Sequence, residues 1–244
     1  MTSGGYPEIV MKNLNSSDYI STLVKAILYK DIVKRYRIRK TQMLENLFLY
    51  LMSNIANEYS LNSLSNAINI NSVHTVEKFL TYLEQAFLCY SVRQFSYKLK
   101  SQFRLPRKIY TVDNGIVTSV GVRFSQDIGR LCENLVAIVL KKKEIDGAIS
   151  MYYWKNTDGE EVDFVVRRGL KIESLIQVCF NVDNPKTHER EIRSLLKCGK
   201  DLQCSNLIIL SGRDEKTEDA KWFGVSGTIR YVPISKWLEK NGEI

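Results

Sequence analysis

The sequence predicts an α/β chain in two parts: a helical N-terminal portion holding a helix-turn-helix with a wing, then a portion in which strands alternate with helices. Three observations lead there. Apolar residues recur at helical spacing from Ile20 to Phe87. From Gln126 onward the pattern changes to short apolar runs separated by helical stretches, as in a sheet with crossover connections. Finally, "GEEVDFVVRRGLKIESLIQVCF", residues 159 to 180, reads as an acidic strand, a turn and a second strand ending on Gln177, Val178 and Cys179.

Residues 18–36 place Ile20, Leu23, Val24, Ile27, Leu28, Ile32 and Val33 at helical spacing, with Asp18 suited to the first turn. A second helix over 41–57 repeats Met43, Leu44, Leu47, Leu51 and Ile55, with Thr41 as its cap. "SLNSLSNAI" (60–68), the break "NIN" and "SVHTVEKFLTYLEQAF" (72–87) give two helices joined by a three-residue turn, the helix-turn-helix pattern. "LCYSVRQF" and "RKIYTVD" are expected as strands around the basic loop "SYKLKSQFRLP", the wing. The stretch 113–126 weakens both periodicities and marks a boundary. "QDIGRLCENLVAIVLKKK" follows as a largely buried helix whose lysine-rich last turn complements the helix dipole. Strands are expected at 149–154, 160–166 and 173–180, then a helix over 185–198 opened by Pro185, with Ile192, Leu195 and Leu196 inward. A buried strand at 206–211 and a last strand turning at Pro233 into a terminal helix complete the chain.

At 244 residues the chain can bury a core without disulfide staples. Its 35 Lys and Arg against 27 Asp and Glu give a net charge of +8, which favours acidic partners such as nucleic acid. Five scattered cysteines with no C-x-x-C pair point away from a disulfide framework and from a zinc site, and make a reducing cytoplasm the simplest home. No charged and apolar leader and no run of membrane-spanning length is present, so neither export nor membrane insertion is expected. Gly199-Lys200 lacks a glycine five residues earlier, so it is not a phosphate-binding loop and no nucleotide hydrolysis is expected of this chain by itself.

Strand alternation puts Glu161 and Asp163 on one face, and Glu173, Leu175, Gln177 and Cys179 on one face of the next strand. If the two strands pair, Asp163 and Gln177 approach each other, and Glu133 on the preceding apolar helix could join them. Three converging oxygen side chains would suit Mg2+ or Mn2+. The alternative is that Glu133 and Asp163 are simply paired with lysines or arginines. Between Gln85 and Val112 there is no acidic residue, while Arg93, Lys98, Lys100, Arg104, Arg107 and Lys108 are basic and Phe95, Tyr97 and Phe103 are interleaved. Lys98, Lys100 and Arg104 could lie along a phosphate backbone while Ser72, His74, Thr75 and Lys78 face a groove, which makes DNA the expected partner. A solvated hairpin with inward aromatics, or a protein-docking wing, fits the same residues. His74 and His188 read as ordinary surface residues.

The succession "GRLCENLVAIVL", "YYW", "GEEVDFVV", "LIQVCF", "THEREIRSLL", preceded by "FLTYLEQAFLCYSVRQFSYKLKSQFRLPRKIYTVDNGI", resembles the uncharacterised C-terminal region that follows the ATPase module in many archaeal and bacterial AAA+-type ATPases. "GGYPEIV" at 4–10 resembles the junction where that module ends. The resemblance covers nearly the whole chain. It implies a helical lead-in over 1–37, a winged helix-turn-helix over 38–115 and, over 116–244, a restriction-endonuclease-like αβββαβ domain of the PD-D/E-x-K fold with a mixed sheet. It also implies an ATPase module as partner, in cis or in trans, either upstream of this stretch or lost. In that fold Glu133 matches the helix glutamate, Asp163 the strand aspartate, and the D/E-x-K pair falls on Gln177 and Cys179.

Those two positions depart from the pattern. A lysine there would orient the attacking water and stabilise developing negative charge; a neutral thiol does neither, and free cysteine titrates at about 8.5. Gln177 could ligate a metal only through its carbonyl oxygen, without a carboxylate's charge, although Glu161 could add a ligand. The resemblance therefore implies a DNA-binding region with a degraded nuclease motif. An active Mg2+- or Mn2+-dependent nuclease and a protein-interaction module without nucleic acid are the alternatives.

Overall fold

A computed structural model describes residues 4–12, 15–121 and 128–242. The fold is mixed α/β, with a helical N-terminal region and a C-terminal mixed sheet. The described residues fall into two compact units, one from Met1–Ser91 with Pro106–Leu135, the other from Val92–Leu105 with Val136–Ile244. No helix among them is long and apolar enough to cross a membrane.

The first unit begins with α1 (Pro7–Lys12) and α2 (Ser16–Ala26), which continues through a π-helical stretch (Ile27–Val33) into the short α3 (Lys34–Tyr36). Asn15 opens α2 because its side chain accepts the Ser17 N–H at 3.0 Å, one of the donors a helix start leaves unpaired. A spacing of four puts Ile20, Val24, Leu28 and Ile32 inside, where they join Leu44, Leu47, Phe48 and Leu51 of α4 (Thr41–Ser53). Each such side chain contributes about 1.5–3 kcal/mol when fully buried, so one core holds the lead-in residues and the segment that follows.

After α4 come β1 (Glu58–Tyr59), α5 (Leu61–Ala67) and α6 (Val73–Gln85). Ser60 and Ser63 form a capping box at the start of α5, and Ser72 accepts the Thr75 N–H at the start of α6. Between these helices Asn69 takes a left-handed φ of 52°, which asparagine tolerates better than most side chains. Val76, Phe79, Leu80 and Leu83 carry the inward face of α6. Strands β2 (Cys89–Arg93) and β3 (Arg107–Thr111) then complete a small sheet in the order β1-β3-β2.

The basic segment between β2 and β3 differs from the expected loop. It contains a helix, α7 (Leu99–Arg104), and residues 92–105 belong to the second unit. The 113–126 stretch also differs, because α8 (Asn114–Val120) forms there, capped by Asp113, whose side chain accepts the Gly115 N–H at 2.6 Å. Residues 122–127 of that stretch lie outside the described residues.

Helix α9 (Ile128–Ile145) leads to β4 (Ser150–Lys155), β5 (Glu161–Arg168) and β6 (Lys171–Cys179), and α10 (Pro185–Leu202) then connects to β7 (Leu207–Ser211). β8 (Lys216–Trp222), β9 (Val225–Pro233) and α11 (Ile234–Glu239) follow, and the sheet order is β4-β5-β6-β7-β9-β8. β4, β5 and β6 are antiparallel, β6, β7 and β9 run parallel, and β8 pairs antiparallel with β9. A parallel β6–β7 pair needs a crossover, which α10 supplies. That helix buries Leu195, Leu196, Cys198 and Leu202 against Val162, Val165, Leu175 and Ile209. Gly199 has a packing role: a Cβ there would lie 2.9 Å from the Cys204 carbonyl oxygen and 3.0 Å from Leu207. Sequence pattern does not indicate β8. It forms because Phe223 and Gly224, at φ 44° and 81°, make a two-residue turn of the kind that suits a twisted hairpin.

Candidate functional site

The site is built where β5 and β6 part. Their ladder runs from Arg168 opposite Lys171 to Phe164 opposite Ile176. Beyond it β5 stays paired to β4 as far as Glu161, and β6 stays paired to β7 as far as Cys179. The sheet therefore forks between two strands that each keep their outer neighbour. A fork exposes main-chain groups that the ladder would otherwise satisfy, and such groups need partners when buried. Asp163 and Gln177 supply them: Gln177 Oε1 accepts the Asp163 N–H at 3.1 Å, and Asp163 Oδ2 accepts the Val178 N–H at 3.0 Å. Both side chains are buried, as is Cys179.

A third residue completes the cluster. Glu191, in the second turn of α10, is 5% exposed, and Gln177 Nε2 donates to its Oε2 at 2.5 Å. Arg190 donates to the other oxygen through Nη2 at 2.6 Å and Nε at 3.2 Å. Burial raises the Glu191 pKa above the ordinary carboxylate value; the Arg190 hydrogen bond opposes that rise and the Asp163 charge adds to it. Burial, reinforced by Glu191 and Asp163, pushes the Cys179 thiol up to about 11, so it is neutral at physiological pH, and its Sγ donates to the Asn181 carbonyl at 3.3 Å.

Sequence pattern does not single out Glu191, because "THEREIR" reads as a solvated, charged helical turn. The signal was available in the spacing: Glu191, Leu195, Cys198 and Leu202 follow at four, three and four, and all four are buried. His188, read as a surface residue, instead exchanges a 2.7 Å hydrogen bond with the buried Tyr231 hydroxyl.

The other site residues lie as follows. Glu133 belongs to the first unit, where its Oε1 accepts from Lys108 Nζ at 2.9 Å and Tyr110 Oη at 2.6 Å. Lys108 is only 1% exposed, so of the six basic residues counted between Gln85 and Val112 this one is spent inside the fold. Glu161 pairs with Lys155 at 3.5 Å. Ser72 and Thr75 are engaged in capping α6, through the Thr75 N–H at 3.3 Å and its hydroxyl at 3.1 Å, while His74 and Lys78 are exposed. Lys98, Lys100 and Arg104 are all exposed. Among the described residues no group of three or more His, Cys, Asp or Glu is placed to hold a metal ion.

Comparison with known proteins assigns a family. Residues 1–127, just over half of the 244, match the family described as Domain of unknown function (DUF8612). The chain belongs to that family. Residues 128–237 match a second, Domain of unknown function (DUF4143), whose match opens at the first described residue of α9. The chain is 31% identical over 243 residues to an uncharacterised protein of Methanocaldococcus jannaschii, MJ1544, covering 96% of this chain and 53% of that protein. It is 29% identical over 194 residues to an uncharacterised protein of Haemophilus influenzae, covering 77% of this chain and 46% of the relative. The chain thus spans about half the length of the curated relatives it matches. No solved structure matches.

Proposed function

We propose that this chain is a DNA-binding region that works with an AAA+-type ATPase module, and that its sheet-bearing unit is a nuclease-like fold whose site no longer cuts. The observation that carries this reading is the commitment of Gln177. Its oxygen serves the Asp163 N–H and its nitrogen serves Glu191, so the position where a catalytic acid would stand is a closed internal link. The thiol at the lysine position is neutral and supplies no charge for a phosphate transition state.

The donor set does not suit magnesium as arranged. One Asp163 oxygen is held by a main-chain N–H, the Gln177 oxygen by another, and Glu191 is clamped by Arg190. The succession α4-β1-α5-α6-β2-β3, with sheet order β1-β3-β2, supports a winged-helix reading of the first unit. The succession α9-β4-β5-β6-α10-β7, with its fork, supports the nuclease-like reading of the second. The ATPase partner is supported by the second family match, to a domain known in AAA-ATPase-associated contexts. DNA is supported by Lys98, Lys100 and Arg104, exposed in a stretch that holds no carboxylate from Gln85 to Val112.

Titration of labelled duplex DNA over a salt series tests the proposal. Lys98→Glu, Lys100→Glu, Arg104→Glu together should weaken binding and make the plot of log K against log salt shallower by about 3. Equal binding by that triple variant removes the reading. An active Mg2+- or Mn2+-dependent nuclease is the second reading, favoured by Glu191, a buried carboxylate standing beside the amide. Plasmid cleavage by wild type that Asp163→Ala abolishes would establish it.

A further inference from the structure

We infer that residues 97–104 form a stacking platform for unpaired bases, so that the nucleic acid this chain selects is single-stranded DNA; the inference rests on the DNA-binding reading above. Tyr97, Leu99 and Phe103 are 75%, 62% and 54% exposed, three large apolar side chains within seven residues. Lys98, Lys100 and Arg104 alternate with them and are exposed as well. The charges call for a polyanion, and the rings call for flat apolar faces. Duplex DNA offers the first while hiding its base faces in the stack. An unpaired strand offers both.

The platform is fixed before any ligand arrives. Gln102 is buried and donates to the Ser96 carbonyl at 2.6 Å, and the Lys98 N–H donates to Ser96 Oγ at 3.1 Å, which ties α7 back onto its own approach. The Arg93 guanidinium carbon lies 4.8 Å from the Phe103 ring centroid and adds a cation to that ring. Tyr97 meets the buried Phe95 edge to face, centroids 5.0 Å apart, and the Phe95 N–H donates to the Tyr153 carbonyl of β4 at 2.7 Å. Tyr97 is thereby anchored on the edge of the large sheet through Phe95, and Phe103 is held against Arg93, which lowers the ordering cost of binding.

The test compares a fluorescein-labelled oligothymidylate with a duplex of equal length. Wild type should prefer the oligothymidylate. Tyr97→Ala with Phe103→Ala should weaken oligothymidylate binding by roughly tenfold per ring and leave duplex affinity unchanged. Tyr97→Phe with Phe103→Tyr, which keeps both rings, should bind as wild type does. Unchanged thermal melting confirms that the alanine variant is folded. Full oligothymidylate affinity in the alanine variant, or equal loss for both DNAs, overturns the stacking platform while leaving DNA binding in place. Competition by an aspartate-rich peptide as strong as that by the oligonucleotide also overturns it. Absence of any DNA binding by wild type removes both readings.

Discussion

The Gln177 side-chain nitrogen donates to Glu191 at 2.5 Å, and that bond joins β6 to α10 at the point where β6 leaves its ladder with β5. An amide suits this position for a physical reason. It donates to the carboxylate and still offers its oxygen to the Asp163 N–H, whereas a second carboxylate could only accept.

Gln177→Glu should therefore destabilise the fold by about 1–3 kcal/mol at neutral pH, the cost of burying a second acid beside Glu191 and Asp163. The loss should shrink in acid, where one of the carboxyls takes up a proton. Urea denaturation at two pH values checks both parts.

Cys179→Lys should repair that variant. An ammonium near Glu191 and Asp163 compensates the added carboxylate, so the double variant should lose less stability than the sum of the singles, with coupling of about 1 kcal/mol or more. A double-mutant cycle by denaturation measures it. The same protein, incubated with plasmid and Mg2+ or Mn2+, reports whether the altered pair supports cleavage.

Glu191→Gln should flatten the dependence of stability on pH. Burial raises the folded-state pKa of Glu191 above its usual value of 4.5. The folded chain then holds that proton more tightly than the unfolded chain, so the contribution is fully present below 4.5 and is lost as pH rises through the raised value. Wild type should lose more stability than the variant on going upward from pH 4.5, as measured by urea denaturation across that window.

Glu133→Ala should destabilise by about 3 kcal/mol, because Lys108, almost wholly buried, loses the carboxylate that it shares with Tyr110. Lys108→Met combined with Glu133→Leu should recover most of that loss. A Glu133 acting only in phosphodiester chemistry would leave the melting temperature unmoved.

Much of the architecture was legible because helical and strand periods dominate it: Ile20, Val24, Leu28 and Ile32 on one helix, and the run Leu207–Leu210 in a buried strand. The approach of Asp163 to Gln177 was legible too, since alternation fixes which side chains share a face. Three features were hidden for separate reasons. Strand β8 is rich in charge and half-exposed, so no apolar alternation marks it, and its hairpin depends on Phe223 accepting a left-handed backbone. Helix α7 is six residues long, below the length at which periodicity is readable. Glu191 sits in a charged helical turn; its spacing from Leu195, Cys198 and Leu202 marks the buried face, but its bond to Gln177 shows only once α10 packs on β6.

The two margins of the large sheet are protected by different means. β8 carries Lys216, Glu218, Asp219 and Lys221, and alternating charge discourages a second chain from adding a strand there. β4 is instead occupied at Tyr153 by the main chain of Phe95. The segment that presents the aromatic rings thus also acts as a gatekeeper against intermolecular strand addition, so excising it would unmask a sticky margin and cost solubility as well as any ligand.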